Sequence, residues 1–439
     1  MPDLNDIPPD DLRDAWRTLV AHGTPPASAI AARVMPAWSV GLDGWLDRLA
    51  NAQLRDFCRR NSHFKLAVAD FGGGKTHFLL SLGARAAAEN WAVCYLQCKA
   101  HVTVGDWFGL YEQIAKAIQL PSVERPGITP IVQAALDLMR ERAANARGAF
   151  PDAALDEIIA AVSDENWPHS SFGRVVTTAL HHLRDPEANS EEGKAALDWL
   201  QGNIAKETLD VLHRLRLQPL RAADRARHGQ ELFYSVAKFL PKAGVHGLVL
   251  LLDEMEVSFN ARRKALEKIL VSLRTMLDQP DNRMERIPLF GVFAAVPDVW
   301  DEIIAKKYQP LQQRFQVFDP FHRGNDDAAQ IDLGELGQRR DILRAMGHKL
   351  LELGIRVHGW NFDLQRQRKN VEKLADVTAD QLLEVNARRL FVKAWCSLLG
   401  EQGRDGEKDY TEEFLAARIR GVNDEFRKAE QATGENSIG

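Results

Sequence analysis

A glycine-rich turn between a predicted strand and a predicted helix is the feature that most constrains the fold of this chain. The apolar run 66–69 predicts a buried strand, and a helix is predicted from Thr76 onward; between them lies Gly-Gly-Gly-Lys-Thr at 72–76. Glycines allow successive backbone N–H groups to surround an anion, and a helix N-terminus adds partial positive charge. The pattern indicates a phosphate-binding P-loop, with Lys75 on the β- and γ-phosphates and Thr76 on Mg²⁺. A chain of this kind is expected to bind ATP or GTP.

The loop departs from the strict P-loop pattern at one position. The pattern G-x-x-x-x-G-K-[ST] requires a first glycine where this chain has Ala69. We expect the anion site to form nevertheless, because Gly72 and Gly73 keep the turn permissive. The alternative is a glycine-rich turn that precedes Lys-Thr by chance, which the strand and helix on either side disfavour.

A second motif, which is acidic, supplies the carboxylates that nucleotide hydrolysis requires. Residues 247–256 read GLVLLLDEME, and a wholly apolar run predicts a central parallel strand that is buried on both faces. Asp253 is then expected to hold Mg²⁺, and Glu254 to act as general base on the attacking water. An ordinary helix N-terminus bearing two acids is the alternative.

The order of predicted elements indicates an α/β fold with a parallel, doubly wound sheet. Strands are predicted at 66–69, 91–99, 247–254 and 288–296, with a short fifth at 313–320. Between the two motifs, residues 120–235 are helical and polar and carry no nucleophile or metal-ligand spacing, so they predict a helical insertion. The predicted organisation is an N-terminal helical segment (1–60), a first core part (61–119), the insertion (120–240), a second core part (241–325) and a C-terminal helical domain (326–439).

Composition indicates a cytoplasmic, globular protein. The chain has 439 residues, of which 45% are hydrophobic and 27% charged, and no apolar run is long enough to span a bilayer. The acidic N-terminal sequence is unlike a signal peptide, and the four cysteines show no zinc-type spacing, so reduced core thiols are expected. A net charge of −5 gives no global nucleic-acid signature, although local arginine clusters keep DNA as a candidate partner.

The strand after the acidic motif and the residues around it distinguish families of P-loop protein, among them the AAA+ and STAND ATPases. In the AAA+ and STAND pattern this strand carries a polar sensor, but here it ends Phe-Ala-Ala-Val-Pro at 293–297. A helix that ends in an arginine is expected next, and Arg314 fits that position. Val40-Gly41 resembles the segment that holds the adenine base.

The chain resembles the ATP-binding proteins of BREX (bacteriophage exclusion) systems. The carrying phrases are ADFGGGKTHFLLSLGARAAAENW at 69–91, LDWLQGN at 197–203, GLVLLLDEME at 247–256 and NARRLFVKAW at 386–395. The resemblance covers roughly residues 12–400, and GKTHFL and LLDEME are its most specific phrases. It implies an antiphage defence role with other defence-system proteins as partners, and the cofactors ATP and Mg²⁺.

The motifs, the AAA+ comparison and the resemblance together give a set of expected site residues. Arg388 or Arg389 is expected to reach ATP from the C-terminal domain, with Arg388 preferred. Glu254, Lys75 and Arg314 form the expected catalytic set, and Thr76 and Asp253 the metal set. The expected nucleotide-binding residues are Val40, Gly41, Asp70, Phe71, Gly72, Gly73, Gly74, Lys75, Thr76, His77 and Arg388.

The predicted activity is that of an ATPase that drives a conformational or assembly switch, as a homo-oligomer with ATP if Arg314 reaches a neighbouring subunit. Two other classes stay open: a nucleotide-dependent scaffold with little hydrolysis, and a P-loop kinase of a small molecule. The long insertion and Arg314 favour the ATPase over the kinase.

Overall fold

A computed structural model gives the architecture. It describes residues 7–24, 34–70, 73–98, 104–145, 151–187, 190–203, 209–217, 221–259, 263–278, 287–304, 306, 309–315, 320–337, 339–380 and 387–435. The helices are Pro9–His22 (α1), Asp43–Leu49 (α2), Lys75–Ala88 (α3), Trp107–Ala117 (α4), Ile128–Asn145 (α5), Pro151–Asp164 (α6), Phe172–Arg184 (α7), Ser190–Leu200 (α8), Leu209–Arg214 (α9), Arg225–Phe239 (α10), Met255–Phe259 (α11), Arg263–Asp278 (α12), Gln309–Phe315 (α13), Arg339–His358 (α14), Leu364–Asp380 (α15), Ala387–Asp405 (α16) and Glu412–Glu435 (α17).

Five parallel strands form one sheet in the order β2-β3-β4-β1-β5. The strands are Ser62–Val68 (β1), Ala92–Gln97 (β2), Leu248–Asp253 (β3), Leu289–Ala295 (β4) and Gln330–Asp332 (β5). Because β4 pairs with both β1 and β3, it separates the strand before the glycine-rich loop from the strand before the acidic motif. In parallel strands the carboxyl ends meet at one edge, so both motifs lie on the same edge of the sheet.

Side chains of each strand alternate between two hydrophobic clusters, one on each face. In β1, Phe64 and Leu66 join the first cluster with α4 to α8, α10 and α12, whereas Ala67 joins the second with α2 and α3. In β3, Leu250 and Leu251 divide in the same way. Helices on both faces explain why β3 is apolar at successive positions. The α/β prediction with a parallel sheet is therefore confirmed.

The predicted fifth strand was misplaced. Residues 313–315 belong to α13, and residues 316–319 lie outside the described residues. The fifth strand of the sheet is instead Gln330–Asp332, paired with the end of β1. Only Ile331 of this strand is buried, and three residues are too short for strand periodicity to show in the sequence.

A third cluster joins the two ends of the described chain. Trp16 and Leu19 of α1 pack with Phe391 and Trp395 of α16 and with α14, α15 and α17. Leu80 of α3 is also part of this cluster, so the helix after the glycine-rich loop contacts both the sheet and the C-terminal helices. The boundaries of the five predicted segments stay predictions.

Candidate active site

The glycine-rich loop has a tight backbone geometry. Gly74 has a φ of 94° and precedes Lys75, the first residue of α3. The Gly73 N–H donates to the Asp70 carbonyl at 2.8 Å. A Cβ at Gly73 would lie 2.6 Å from the Cβ of Ala69, so the methyl group of Ala69 is accommodated because Gly73 has no side chain. Two predicted nucleotide-binding residues, Phe71 and Gly72, lie outside the described residues.

Lys75 is buried against its own loop. Its Nζ donates to the carbonyls of Ala69 at 3.0 Å and Asp70 at 3.2 Å, and only 7% of the side chain is exposed. Burial lowers the pKa of Lys75, while nearby carboxylates, Glu256 first, raise it. Two loop carbonyls therefore accept from the ammonium at positions that phosphate oxygens could take.

Asp253 joins the acidic motif to the glycine-rich loop. It ends β3, is fully buried, and lies opposite Gln97 of β2. Its Oδ2 accepts from the Thr76 hydroxyl at 2.6 Å and from the Tyr95 hydroxyl at 2.9 Å. Its Oδ1 accepts from the backbone N–H of Glu254 at 2.9 Å. The two predicted Mg²⁺ residues, Thr76 and Asp253, are therefore in direct contact.

The side-chain oxygens of Thr76 and Asp253 fit the ligand preferences of a magnesium ion. Mg²⁺ takes oxygen ligands and usually keeps several waters, with one or two carboxylates plus phosphates of the substrate. One hydroxyl and one carboxylate side by side match that requirement. Across the described ranges, no group of three or more His, Cys, Asp or Glu side chains is arranged to hold a metal by itself.

Glu254 adopts a backbone conformation that is uncommon for a residue with a side chain. Its φ is 56°, and its side chain is exposed. Non-glycine residues in the left-handed region are strained by about 1–3 kcal/mol and cluster at functional sites. This turn carries the chain from β3 into α11.

Glu256 was not predicted as a site residue, although it is the acidic side chain with an ion pair to Lys75. Its Oε1 lies 3.9 Å from Lys75 Nζ, and 12% of the side chain is exposed. Burial raises the pKa of Glu256. Three groups act in the opposite direction: its own backbone N–H, the charge of Lys75 and the backbone N–H of Val296. No sequence pattern singles it out from Glu254.

The C-terminal helices reach the loop through Arg388 on α16. Its Nη1 donates to the Gly73 carbonyl at 2.6 Å, and a Cβ at Gly74 would lie 2.8 Å from Nη1. Burial and the charge of Arg339 lower the pKa of Arg388. Arg389 faces elsewhere: its Nε donates to the His22 carbonyl at 3.0 Å.

His77 links α3 to the segment that was predicted to hold the adenine base. Its Nε2 lies 2.6 Å from the Ser39 hydroxyl, which donates to the Met35 carbonyl, so the imidazole N–H is the donor to Ser39. Burial, together with the charges of Arg388 and Lys349, lowers the pKa of His77 to about 3. Val40 and Gly41 follow Ser39 directly, with a φ of 75° at Gly41.

A protein-family model described as "BREX system ATP-binding protein BrxC/D" matches residues 29–405. The chain belongs to this family. Membership makes it an ATP-binding protein of a phage-defence system with a nucleotide as ligand, and it confirms the family predicted from the sequence. No curated protein matches the chain. No solved structure matches it either.

Arg314 and the membrane-spanning potential of this BREX-family chain were also predicted from the sequence. Arg314 lies near the end of α13, but the strand that it was predicted to precede directly is instead β5, Gln330–Asp332. The role of Arg314 stays a prediction, and its side chain is not among those described. In the ranges that the structure describes, no helix combines the length and apolarity needed to cross a membrane.

Proposed function

We propose that this BREX-family protein is a P-loop ATPase of the AAA+/STAND kind, which couples ATP binding and hydrolysis to a conformational or assembly switch in antiphage defence. The observation that carries the proposal is the 2.6 Å hydrogen bond from Thr76 to Asp253. It joins the first turn after the glycine-rich loop to the end of β3 across 177 residues of sequence. A buried carboxylate in contact with the threonine that follows the glycine-rich loop supports a joint site for nucleotide phosphates and Mg²⁺.

In this proposal each residue has a distinct role. Lys75 leaves the loop carbonyls and binds the β- and γ-phosphates, while Thr76 and Asp253 hold Mg²⁺. Bound Mg²⁺ supplies positive charge to the phosphate oxygens where negative charge develops. Glu254 accepts the proton of the attacking water as general base.

Further groups complete the proposed site. The loop backbone from Asp70 to Gly74 surrounds the phosphates, and His77 holds the Val40-Gly41 segment in place beside the adenine through Ser39. Arg388 adds positive charge beside the γ-phosphate, and Arg314 of a neighbouring subunit is proposed as an arginine finger.

The proposed setting is the cytoplasm, where this protein acts with other defence-system proteins. A homo-oligomer formed with ATP and contact with DNA belong to the same proposal. Contact with DNA is proposed because the insertion carries exposed arginines. One of them, Arg214, forms an ion pair with Glu191, which DNA phosphates would have to displace.

The proposal is tested by one pair of substitutions. Lys75→Ala removes a charge-assisted contact of about 1.5–3 kcal/mol, so ATP affinity is expected to fall at least about tenfold by calorimetry. Glu254→Gln is expected to keep ATP binding and to lose about 10²–10⁴-fold in turnover. Lys116→Ala, which alters an exposed lysine of α4, is the control for loss of a positive charge.

Two outcomes would contradict this assignment. Unchanged ATP affinity in Lys75→Ala would remove the glycine-rich loop from the site. Binding that depends on Lys75, but with no turnover in the wild type, would replace the ATPase by a nucleotide-dependent scaffold.

A further inference from the structure

The end of β4 carries no polar side chain, yet it lies beside the loop that is expected to hold the phosphates. Ala295 and Val296, which end this strand and follow it, are both buried and apolar. The backbone of Val296 interacts instead with the carboxylate of Glu256. A polar group is therefore present at the end of β4, but α11 provides it.

Glu256 pairs with the ammonium that is expected to bind phosphate oxygens. Its Oε1 is 3.9 Å from Lys75 Nζ, and among the carboxylates near Lys75 its charge has the largest effect on the lysine. When Lys75 turns to bind phosphate oxygens, this carboxylate loses its counter-ion and faces the new negative charge. Two like charges a few Å apart in a partly buried site repel strongly.

The second oxygen of Glu256 is incompletely satisfied. Oε2 is buried and accepts no hydrogen bond from any group among the residues that the structure describes. Burying a carboxylate oxygen without a hydrogen-bond donor costs free energy. The charge of Lys75 offsets part of that cost for Glu256. A further negative charge placed beside this carboxylate would add to that cost.

We propose that Glu256 makes the site distinguish ATP from ADP, by opposing a γ-phosphate through its charge and its pairing with Lys75. This inference rests on the proposed function, because it requires that nucleotide phosphates bind at the loop. ADP lacks the terminal phosphate that comes nearest to Glu256, so ADP is opposed less. The carboxylate thus weakens ATP binding, and ATP must shift Glu256 and α11 in order to bind fully.

The test compares nucleotide affinities of the wild type and Glu256→Gln by calorimetry, with Mg²⁺ and either a non-hydrolysable ATP analogue or ADP. Glutamine has nearly the same shape but no charge. We expect the ATP analogue to bind roughly 3- to 10-fold more tightly to Glu256→Gln, with ADP affinity changed by less than about twofold. Tighter binding is an informative direction, because a merely damaged site binds more weakly.

Two further variants control the test. Glu256→Ala removes the charge without an amide, and it is expected to change the ratio of ATP to ADP affinity in the same direction. Glu302→Gln removes an exposed carboxylate that pairs with Lys306, and it is expected to leave both affinities unchanged. Thermal unfolding checks that each variant is folded.

The outcomes separate this inference from the proposed function. If the wild type binds both nucleotides and Glu256→Gln changes neither affinity, or changes both equally, Glu256 does not distinguish them. If the wild type binds neither nucleotide, the proposed function itself fails, and this inference fails with it.

Discussion

Arg388 joins α16 to the glycine-rich loop, and its removal tests whether this contact serves nucleotide binding. Its Nη1 donates to the Gly73 carbonyl at 2.6 Å from α16. A hydrogen bond of this charge-assisted kind contributes about 1.5–3 kcal/mol. Burial already lowers the pKa of Arg388, so its charge is poorly solvated before an anion arrives. A phosphate is the group that would best compensate that charge.

From these contacts we expect Arg388→Ala to weaken binding of an ATP analogue by about 10- to 100-fold, which corresponds to about 1.4–2.7 kcal/mol. Calorimetry measures the dissociation constant, and denaturant unfolding measures the stability of each variant. The matched control is Arg389→Ala, one position along α16. Arg389 donates to the His22 carbonyl and lies 4.2 Å above the Phe426 ring, away from the loop.

Comparing Arg388→Ala with Arg389→Ala shows whether Arg388 contributes to ATP binding or only to the structure of the loop. Both variants lose a hydrogen bond and are expected to lose stability, but only Arg388→Ala is expected to lose ATP affinity by more than about threefold. Equal ATP affinities in the two variants would refute the reasoning and leave Arg388 as a structural donor to the loop.

Two further predictions concern acid stability and assembly. The pKa of His77 is about 3 in the folded chain and about 6.5 when unfolded, so the unfolded state binds more protons between these values and stability falls as pH drops below about 6.5. His77→Gln, which keeps a donor for Ser39, is expected to reduce that slope by up to ~1.4 kcal/mol per pH unit in denaturant titrations from pH 7 to 5; an unchanged slope would contradict the assignment. Arg314→Ala is expected to bind ATP normally and to hydrolyse it about 10³–10⁵-fold more slowly, with wild-type activity per subunit rising with concentration. A strict monomer in sedimentation with ATP, together with normal turnover in Arg314→Ala, would exclude the finger.

The sequence predicted the elements whose residues carry a periodic or continuous apolar signal. β3 was found because a strand covered on both faces is apolar at every position, and α3 because it follows the glycine turn. β5 was misplaced because only Ile331 among its three residues is buried. Residues 313–315 instead form part of a helix.

The site was predicted where a motif fixes the chemistry, but not where the fold does. Thr76 and Asp253 were each predicted as Mg²⁺ residues from their motifs, and the structure brings the two side chains into contact. Tyr95 was predicted in a strand, but its bond to Asp253 depends on β2 lying beside β3, which no local pattern gives. The pairing of Glu256 with Lys75 depends on the turn at Glu254, where a positive φ redirects the chain into α11. Such turns between neighbouring acids are invisible to motif reading.

The cluster that joins α1 to the C-terminal helices has a consequence for how this protein is made. Trp16 and Leu19 leave the ribosome long before their partners Phe391 and Trp395, which lie far along the chain. Contacts between residues so distant in sequence form late and slow folding. During synthesis the apolar face of α1 is therefore exposed to solvent, where chaperones can bind it and where it can aggregate. Translation has to reach α16 before the first helix can be buried.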